Sequence, residues 1–471
     1  MSDARAANSP AAIARDALRG RSAWIVGGAV RDELLGRATD DVDIVVDGDV
    51  RGAARIVARA AGGPAFELSD AFGSWRVMAP DRGWQIDLSP LRGGSLESDL
   101  ALRDFTVNAI AEPLEGGGRV DPHGGVEDLA ARRLRAVGPR ALADDPLRVV
   151  RLVRLAAELA LEPERETVAL ARASAPAAAQ VAQERVFAEL KRIVAGEEVI
   201  ASLALMDALG LTEAILPELA ALHGVEQNRY HHADVHAHTL EVLEQTIALQ
   251  ADPGALLGAE HAGGVAALLA EPLAEGVDRG LALRFGALLH DVAKPVTLGR
   301  RDDGTPTFLG HDRAGAELAR DILARLRASE KLKAHVAALA RHHLRLGFLV
   351  HETPLSRRAL YRYLRECEPV EADVTLLSVA DRLATRGRKA QESIARHLDL
   401  AREVLPAALD WRAKRGRAPL VRGDALAAAL ELDSGPELGR LLREIEEARF
   451  AGDVTTGEEA IALAARLLER P

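Results

Sequence analysis

The chain has 471 residues, enough for two to four domains, and its 48% hydrophobic content suffices for sizeable cores. Its one cysteine, Cys367, excludes an intramolecular disulfide framework; no apolar run nears the ~18 residues of a membrane span, and the amino end lacks a secretory pattern. A cytoplasmic protein with no membrane partner is therefore expected, and its net charge of −11 speaks against a polyanionic ligand only on average.

Residues 1–20 read as an Ala-rich lead-in with a helix near its end. From 21 to 125, strand-like runs at Ala23–Val26, Val42–Val46, Ser74–Met78 and Gln85–Leu88 alternate with helical stretches, which makes an α+β head. Helical periodicity dominates afterwards. It divides into a neck and body at 126–224 with a break at Pro217, a histidine-rich unit at 225–400 with an exposed loop near 299–310, and a tail at 401–471. The tail begins after a helix expected to end near Leu405. Arginines gather at Arg132, Arg133, Arg135 and Arg140, at Arg148, Arg151 and Arg154, and again at Arg412, Lys414, Arg415, Arg417 and Arg422. Each group is either a phosphate-facing patch or a solvated face.

The sharpest local chemistry lies in WIVGGAVRDELLGRATDDVDIVV. Side chains two apart on a strand share a face, with Cα atoms about 6.5 Å apart, so Asp41 and Asp43 can converge on divalent ions while Val42, Ile44 and Val46 enter the core. Oxygen-only ligands suit Mg²⁺, and a metal pair can stabilise both the entering and the leaving oxygen of an in-line displacement. Gly27-Gly28, followed by a helix over Val30–Leu35, forms a phosphate cradle from backbone N–H groups. Asp87 in WQIDL is either a third carboxylate or a strand cap. Asp145 before Pro146 reads as a helix N-cap with proline in the first turn. A carboxylate and an arginine there could also read amino-bearing bases: Asp145 would accept from the exocyclic amine of cytosine or adenine, and Arg148 would donate to ring acceptors. Arg151 and Arg154 continue from Arg148 as a curved basic stripe facing triphosphate or RNA.

GGAVRDELLGR with DVD, RDFTVNAIA at 103–111, DPHGGVEDL at 121–129 and DDPLRVVRLVR at 144–154 together resemble the bacterial-type tRNA nucleotidyltransferase and poly(A) polymerase family, the class II CCA-adding enzymes. The resemblance spans essentially the whole chain. It implies a polymerase-beta-like head, an all-α neck and body, an all-α HD domain and a helical tail. It also implies Mg²⁺ at Asp41 and Asp43, triphosphate contacts from Gly28 and Arg31, a nucleotide contact from Arg103, and base selection by Asp145 and Arg148. For Arg31 the competing reading is an ion pair with Asp32 or Glu33, ranked second. Leu102 stands where the family motif carries a second basic residue, and Asp144 where it carries Glu. The GPELGRLL element in the tail resembles a family segment that either contacts RNA or simply joins helices.

QNRYHHADVHAHTL at 227–240, FGALLHDVAKPVT at 285–297, LGHDRAGAELA at 309–319, RHH at 341–343 and VADR at 379–382 resemble the HD superfamily of metal-dependent phosphohydrolases. That likeness assigns His238, His290, Asp291 and Asp381 as ligands, with His311 and either His342 or His343, the former preferred, completing a second position. Imidazole with carboxylate suits a divalent transition metal. Roles for His231, His232 and His236 stay open. The expected activity is addition of CMP and AMP to tRNA 3′ ends from CTP and ATP. Poly(A) polymerase and CC-only or A-only enzymes share the head motifs, and an HD phosphohydrolase with an RNA-binding head is the rival of another class.

Overall fold

The computed structural model describes residues 9–70, 72–227, 233–274, 276–352, 354–385, 390–416 and 418–469. His231, His232 and Arg417 lie outside these. The chain forms two compact units, Met1–Ile215 and Leu216–Pro471. Among the described residues no helix is long and apolar enough to cross a membrane.

The first unit is built on a six-stranded sheet ordered β3-β4-β5-β2-β1-β6. Its strands are β1 (Ala23–Val26), β2 (Asp41–Val46), β3 (Ala65–Ser69), β4 (Ser74–Met78), β5 (Gln85–Pro90) and β6 (Ala111–Pro113). The expected strands are present, and β2 starts at Asp41, one residue early. β3 and β6 were not anticipated: β3 has the exposure of an edge, and β6 is three residues long, so neither shows an alternating pattern. Among the described residues of this sheet only β2 and β5 run parallel. A parallel pair needs a long crossover, supplied here by helix α2 (Val50–Ala61) and the β3–β4 hairpin. Before β2, helix α1 (Gly28–Leu34) follows the glycine turn. Asp49 caps α2 through the Gly52 N–H at 2.8 Å, and left-handed Gly62 ends it. The helix buries Val50, Ala53, Ala54 and Val57, on the side where Val42, Ile44, Val77, Ile86 and Leu88 are fully buried. On the opposite face, at its β1 side, α3 (Leu96–Ala101) brings Leu96 and Leu100 onto Val26, Val45, Ala109 and Ala111.

The helical remainder of this unit packs around α4 (Leu147–Leu159), in which Leu147, Val149, Val150, Leu152, Val153, Leu155 and Leu159 are buried, and α5 (Gln183–Ala195). The DPHGGVEDL segment fastens this part to the head motif at 103–111. Asp121 accepts from the Gly125 and Val126 N–H groups at 2.7 and 2.9 Å, which starts the helix Gly125–Ala130. Asp128, wholly buried, accepts from the Thr106 hydroxyl at 2.6 Å and from Arg133 and Arg135 at 2.7 and 2.9 Å. Burial opposes its ionisation, yet these bonds outweigh it and hold the carboxyl below its ordinary range.

In the second unit α6 (Val235–Ala251), α7 (Arg279–Leu289), α8 (His311–Arg325), α9 (Glu330–His342) and α10 (Glu371–Leu383) pack together. Gly286 lets α7 approach α9 closely, since a Cβ there would stand 2.5 Å from Leu339 Cδ1. Two expectations are corrected. The 299–310 loop contains a two-stranded hairpin, Gly299–Arg300 with Pro306–Thr307. The helix expected to stop near Leu405 runs as α11 (Ala390–Ala413), with Pro406 inside it. Burial of Leu400, Ala401, Val404, Leu405 and Ala408 keeps the helix continuous past Pro406 despite the lost N–H. As expected, the chain breaks before Pro217, and Pro436 occupies the first turn of a helix in the tail. The tail has its own core of Leu426, Leu438, Leu441, Ile445, Ala460 and Ala464.

Gly125 packs directly on the Thr106 carbonyl; a Cβ would lie 2.2 Å from that oxygen and 2.9 Å from Ile110 Cγ1. Gly125→Ala should therefore destabilise the first unit by about 2 kcal/mol. Thermal unfolding should show its midpoint lowered by about 4–8 °C.

Candidate active site and metal centre

β1 ends at Val26, directly opposite Asp43 on β2. The chain must then turn beside a carboxylate, and Gly27 does so at φ +72°. A Cβ on Gly27 would meet Arg103 Nη1 at 2.8 Å and Asp43 Oδ2 at 3.7 Å, so both the dihedral and the space demand glycine. Gly28, the residue expected to matter, opens α1 and lies 3.5 Å, measured from a built Cβ, from the Arg31 guanidinium.

Asp41 and Asp43 share the open face of β2, and the β2/β5 register sets Asp87 beside Asp43. Of the two readings of Asp87, the placement matches the third carboxylate. Its oxygens accept a two-pronged hydrogen bond from Arg76 on β4, both at 2.7 Å. Asp43 is reachable by solvent but set deep among protein atoms. Burial raises its pKa to about 6, Asp41 and Asp87 add to the rise, and Arg103 and Arg151 oppose it. Three carboxylates that resist sharing negative charge fit a divalent cation.

The arginines are more occupied with protein than the sequence suggested. Arg31 donates to Asp32 at 2.9 Å and also to Asn108, so the ion pair ranked second is present. Arg103 reaches Asp99 at 3.3 Å and borders Gly27 and Asp43. Arg148 donates to the carbonyls of Leu102, Arg103 and Ala141 at 2.6, 3.0 and 2.9 Å. It thereby ties the start of α4 to the backbone at Arg103. Asp145 caps α4 through the Leu147 N–H at 3.2 Å and pairs with Arg185 of α5 at 2.8 Å. Arg151 pairs with buried Asp104 at 3.0 Å, which raises the pKa of Arg151. Arg154 corrects the expectation of a stripe facing the ligand: it is buried and engaged by Glu158 at 2.7 Å and by Glu189. Spacing of three fixes position around a helix, but here the far end of the stripe turns into the protein. The other clusters are paired too: Arg133 and Arg135 with Asp128, Arg140 with Asp144, Arg412 with Glu271, Lys414 with Asp410, Arg415 with Glu371 and Arg422 with Asp424.

Sequence reasoning placed Gly27 in the phosphate-cradling turn but did not see its contact with Arg103 and Asp43, and it missed Arg76, Asp99 and Asp104. Asp104 stands inside a quoted motif, next to Arg103; Arg76 is visible only through strand pairing.

A second cluster lies in the other unit. His238, His290 and Asp381 present ligand atoms within 4.8 Å of one another, as do Asp291, His311 and His343. Asp291 faces both: Oδ2 lies 3.2 Å from His290 Nε2 and 3.8 Å from His238 Nε2, while Oδ1 lies 3.4 and 3.7 Å from the Nε2 atoms of His311 and His343. In His290, His311 and His343 the Nδ1 atom lies 2.8, 2.6 and 2.7 Å from the carbonyl three residues earlier. Donation from Nδ1 leaves Nε2 as the inward lone pair, the orientation expected of a metal-binding imidazole. His343 therefore replaces the expected His342, because the turn ending α9 aims only the former inward. Burial and nearby His290 push His343 down to about 4, so it is neutral and able to ligate at pH 7. Burial opposes ionisation of Asp291, but His290 and Lys294 hold it well below the ordinary range. Lys294, also unanticipated, contacts Asp291 at 2.6 Å and Gln227 at 2.7 Å. His236 instead stacks on His223, with centroids 3.6 Å apart.

Residues 23–93 and 80–135 match the Poly A polymerase head domain, 160–222 the probable RNA and SrmB-binding site of polymerase A, and 235–386 the HD domain. The A-adding tRNA nucleotidyltransferase of Deinococcus radiodurans is 38% identical over 453 residues, covering 95% of this chain and 96% of that protein. The CC-adding tRNA nucleotidyltransferase of Thermus thermophilus is 37% identical, covering 94% and 93%. A solved CCA-adding enzyme in apo form I shares the fold, with a TM-score of 0.66 at 19% identity over 99% of this chain and 94% of that one. With the head motifs in one unit and the histidine cluster in the other, the chain belongs to the tRNA nucleotidyltransferase and poly(A) polymerase family and is a nucleotidyltransferase that carries an HD domain.

Proposed function

We propose that the enzyme adds CMP and AMP to the 3′ end of tRNA from CTP and ATP, releasing pyrophosphate and using no nucleic-acid template. The carrying observation is the convergence of Asp41, Asp43 and Asp87 on one open sheet face beside Gly27 and Arg103. A cytoplasmic place of work fits tRNA processing. In this reading residues 21–125 are the head, 126–224 the base-selecting neck and body, 225–400 the HD domain and 401–471 the tail.

Asp41 and Asp43 would hold Mg²⁺, which when bound would supply Lewis acidity toward the RNA 3′-hydroxyl and the leaving group. The backbone at Gly27 and Gly28 lets triphosphate oxygens approach the start of α1, and Arg31 and Arg103 add positive charge there. Asp145 retains acceptor capacity beside its cap and its Arg185 pair. Arg148 spends three of five donors on carbonyls, leaving two for a base. Cytosine and adenine offer an amine to Asp145; uracil and guanine do not offer it in the same place. The protein's share is positioning and charge stabilisation. The Deinococcus and Thermus relatives are named for A and CC addition separately, which keeps restricted addition as a second reading of the same site.

Incubation with tRNA lacking all or part of CCA, with labelled CTP and ATP separately and together, should yield complete CCA ends on sequencing; CC or A alone would select the restricted reading. Asp41→Ala with Asp43→Ala should lower addition at least ~10³-fold and leave tRNA binding by filter assay near wild type. Retained addition would remove the site assignment. Arg148→Ala should lower discrimination against UTP and GTP by about tenfold or more; an unchanged choice of base would refute the selecting role.

For the HD domain, the two ligand groups around Asp291 support a divalent transition metal and phosphohydrolase chemistry. His290→Ala with Asp291→Ala should abolish the transition-metal content measured on purified protein. Hydrolysis of p-nitrophenyl phosphate should fall to background while nucleotide addition persists. Wild-type protein devoid of transition metal would reduce this domain to a scaffold.

A further inference from the structure

The face of the sheet that carries Asp41 and Asp43 continues beyond Asp87. Asp43 pairs with Asp87 on β5, Asp87 with Arg76 on β4, and Arg76 with Phe66 on the edge strand β3. Directly paired residues project to the same side of a sheet. Phe66 thus stands on the carboxylate-bearing face, three strands from Asp43, or about 14 Å at ~4.8 Å per strand. It is 41% exposed; Leu68, in the bulge that follows, is 41% exposed, and Phe72 in the turn 75%.

This apolar surface is not overflow from the core. The reverse face of β2, β5 and β4 is closed, with Val77, Ile86, Leu88, Val42 and Ile44 fully buried. An edge strand already presents free backbone groups, and exposed aromatic and aliphatic side chains on it invite association. The remainder of the row, Arg76, Asp87 and Asp43, is polar. An occupant must therefore be able to lie against carboxylate-bound cations at one end and apolar side chains at the other. The single-stranded end of an RNA does both: its terminal hydroxyl belongs at Asp43, and its preceding bases carry π faces that stack on aromatic side chains whatever their sequence. Bases stacked about 3.4 Å apart span ~14 Å in a few nucleotides.

We propose that Phe66, with Leu68 beside it, is the stacking platform for the unpaired nucleotides that precede the attacking 3′-hydroxyl of the RNA acceptor. This rests on the reading of the head as a nucleotidyltransferase acting on RNA 3′ ends. The platform acts on the acceptor and not on the incoming triphosphate, so it sets acceptor affinity and alignment and leaves the choice of base to Asp145 and Arg148.

Phe66→Thr keeps a strand-forming residue and removes the ring. The full-length variant should raise the KM for tRNA lacking its 3′-terminal nucleotides about tenfold. Its kcat and its KM for CTP and ATP should stay within about twofold, and Phe66→Trp should restore the acceptor KM. An acceptor with 2-aminopurine among its last unpaired nucleotides should be quenched by wild-type protein and by F66W, and much less by F66T. An acceptor KM within twofold of wild type, or equal quenching by F66T, would overturn the proposal. So would a fall in kcat with unchanged acceptor KM. Should F66T fail to fold, quenching by F66W and its loss in Leu68→Thr decide the matter. Should wild-type protein add nothing to RNA, the head reading fails, while the quenching assay, which needs binding only, still judges the platform.

Discussion

The parallel register between β2 and β5 is the constraint on which the catalytic face depends. It sets Asp43 and Asp87 side by side on strands only about 4.8 Å apart, with Asp41 on the same face of β2. Burial, with a further push from Asp41 and Asp87, raises Asp43 to about 6, so full ionisation of the three carboxylates is unfavourable. The protein relieves only part of this: Arg76 neutralises Asp87 from β4, and Arg103 approaches Asp43 across Gly27. What remains is a negatively charged face whose oxygen donors suit a divalent cation. Helix α2 and the β3–β4 hairpin are the crossover that makes the register possible, so fold and site are one requirement.

The arginines around that face show how a protein of net charge −11 can keep a phosphate-handling site. Arg31, Arg103, Arg148, Arg151 and Arg154 each engage an internal acceptor: Asp32 and Asn108, Asp99, three carbonyls, Asp104, and Glu158 with Glu189. Buried ion pairs often return little net stability after desolvation, but breaking one strands a charge. Their consequence here is rigidity. Arg148 ties the start of α4 to the backbone at Leu102 and Arg103, just past α3, and Arg151 ties the next turn to the Asp104 that follows Arg103, so the groups proposed to select the base and to face the phosphates share one frame. Positional precision of this kind is what a mechanism based on orientation requires.

The HD centre follows another rule. Its ligands come from α6, α7, α8, the end of α9 and α10, and Asp291 touches both groups at once. Three of the imidazoles are oriented by carbonyls three residues earlier in the chain, so the helix ends themselves set the tautomer. The imidazole nitrogens there and the oxygen-only carboxylates of the head give the two units different donor sets.

Much of this was legible in the residues. DVD on a β-branched run is a period-two pattern, and it located β2 and its open carboxylates to within one residue; the HD elements, being local, named Asp291 and its partners. Ala, Leu and Arg in helical periodicity fixed a helical remainder. The sequence could not show that β3 and β6 are strands, because an edge strand and a three-residue strand bury too little to write a pattern. Nor could it tell His342 from His343, which differ by one helical step of about 100°. Motif spacing thus determined which chemistry the chain carries, since ligand type and order are properties of the chain. Tertiary structure alone decided which arginines stay turned toward protein, which glycine is indispensable, and that Phe66 lies in register with Asp43. Those depend on pairing between segments far apart in sequence, and strand register and burial arise only when the segments meet.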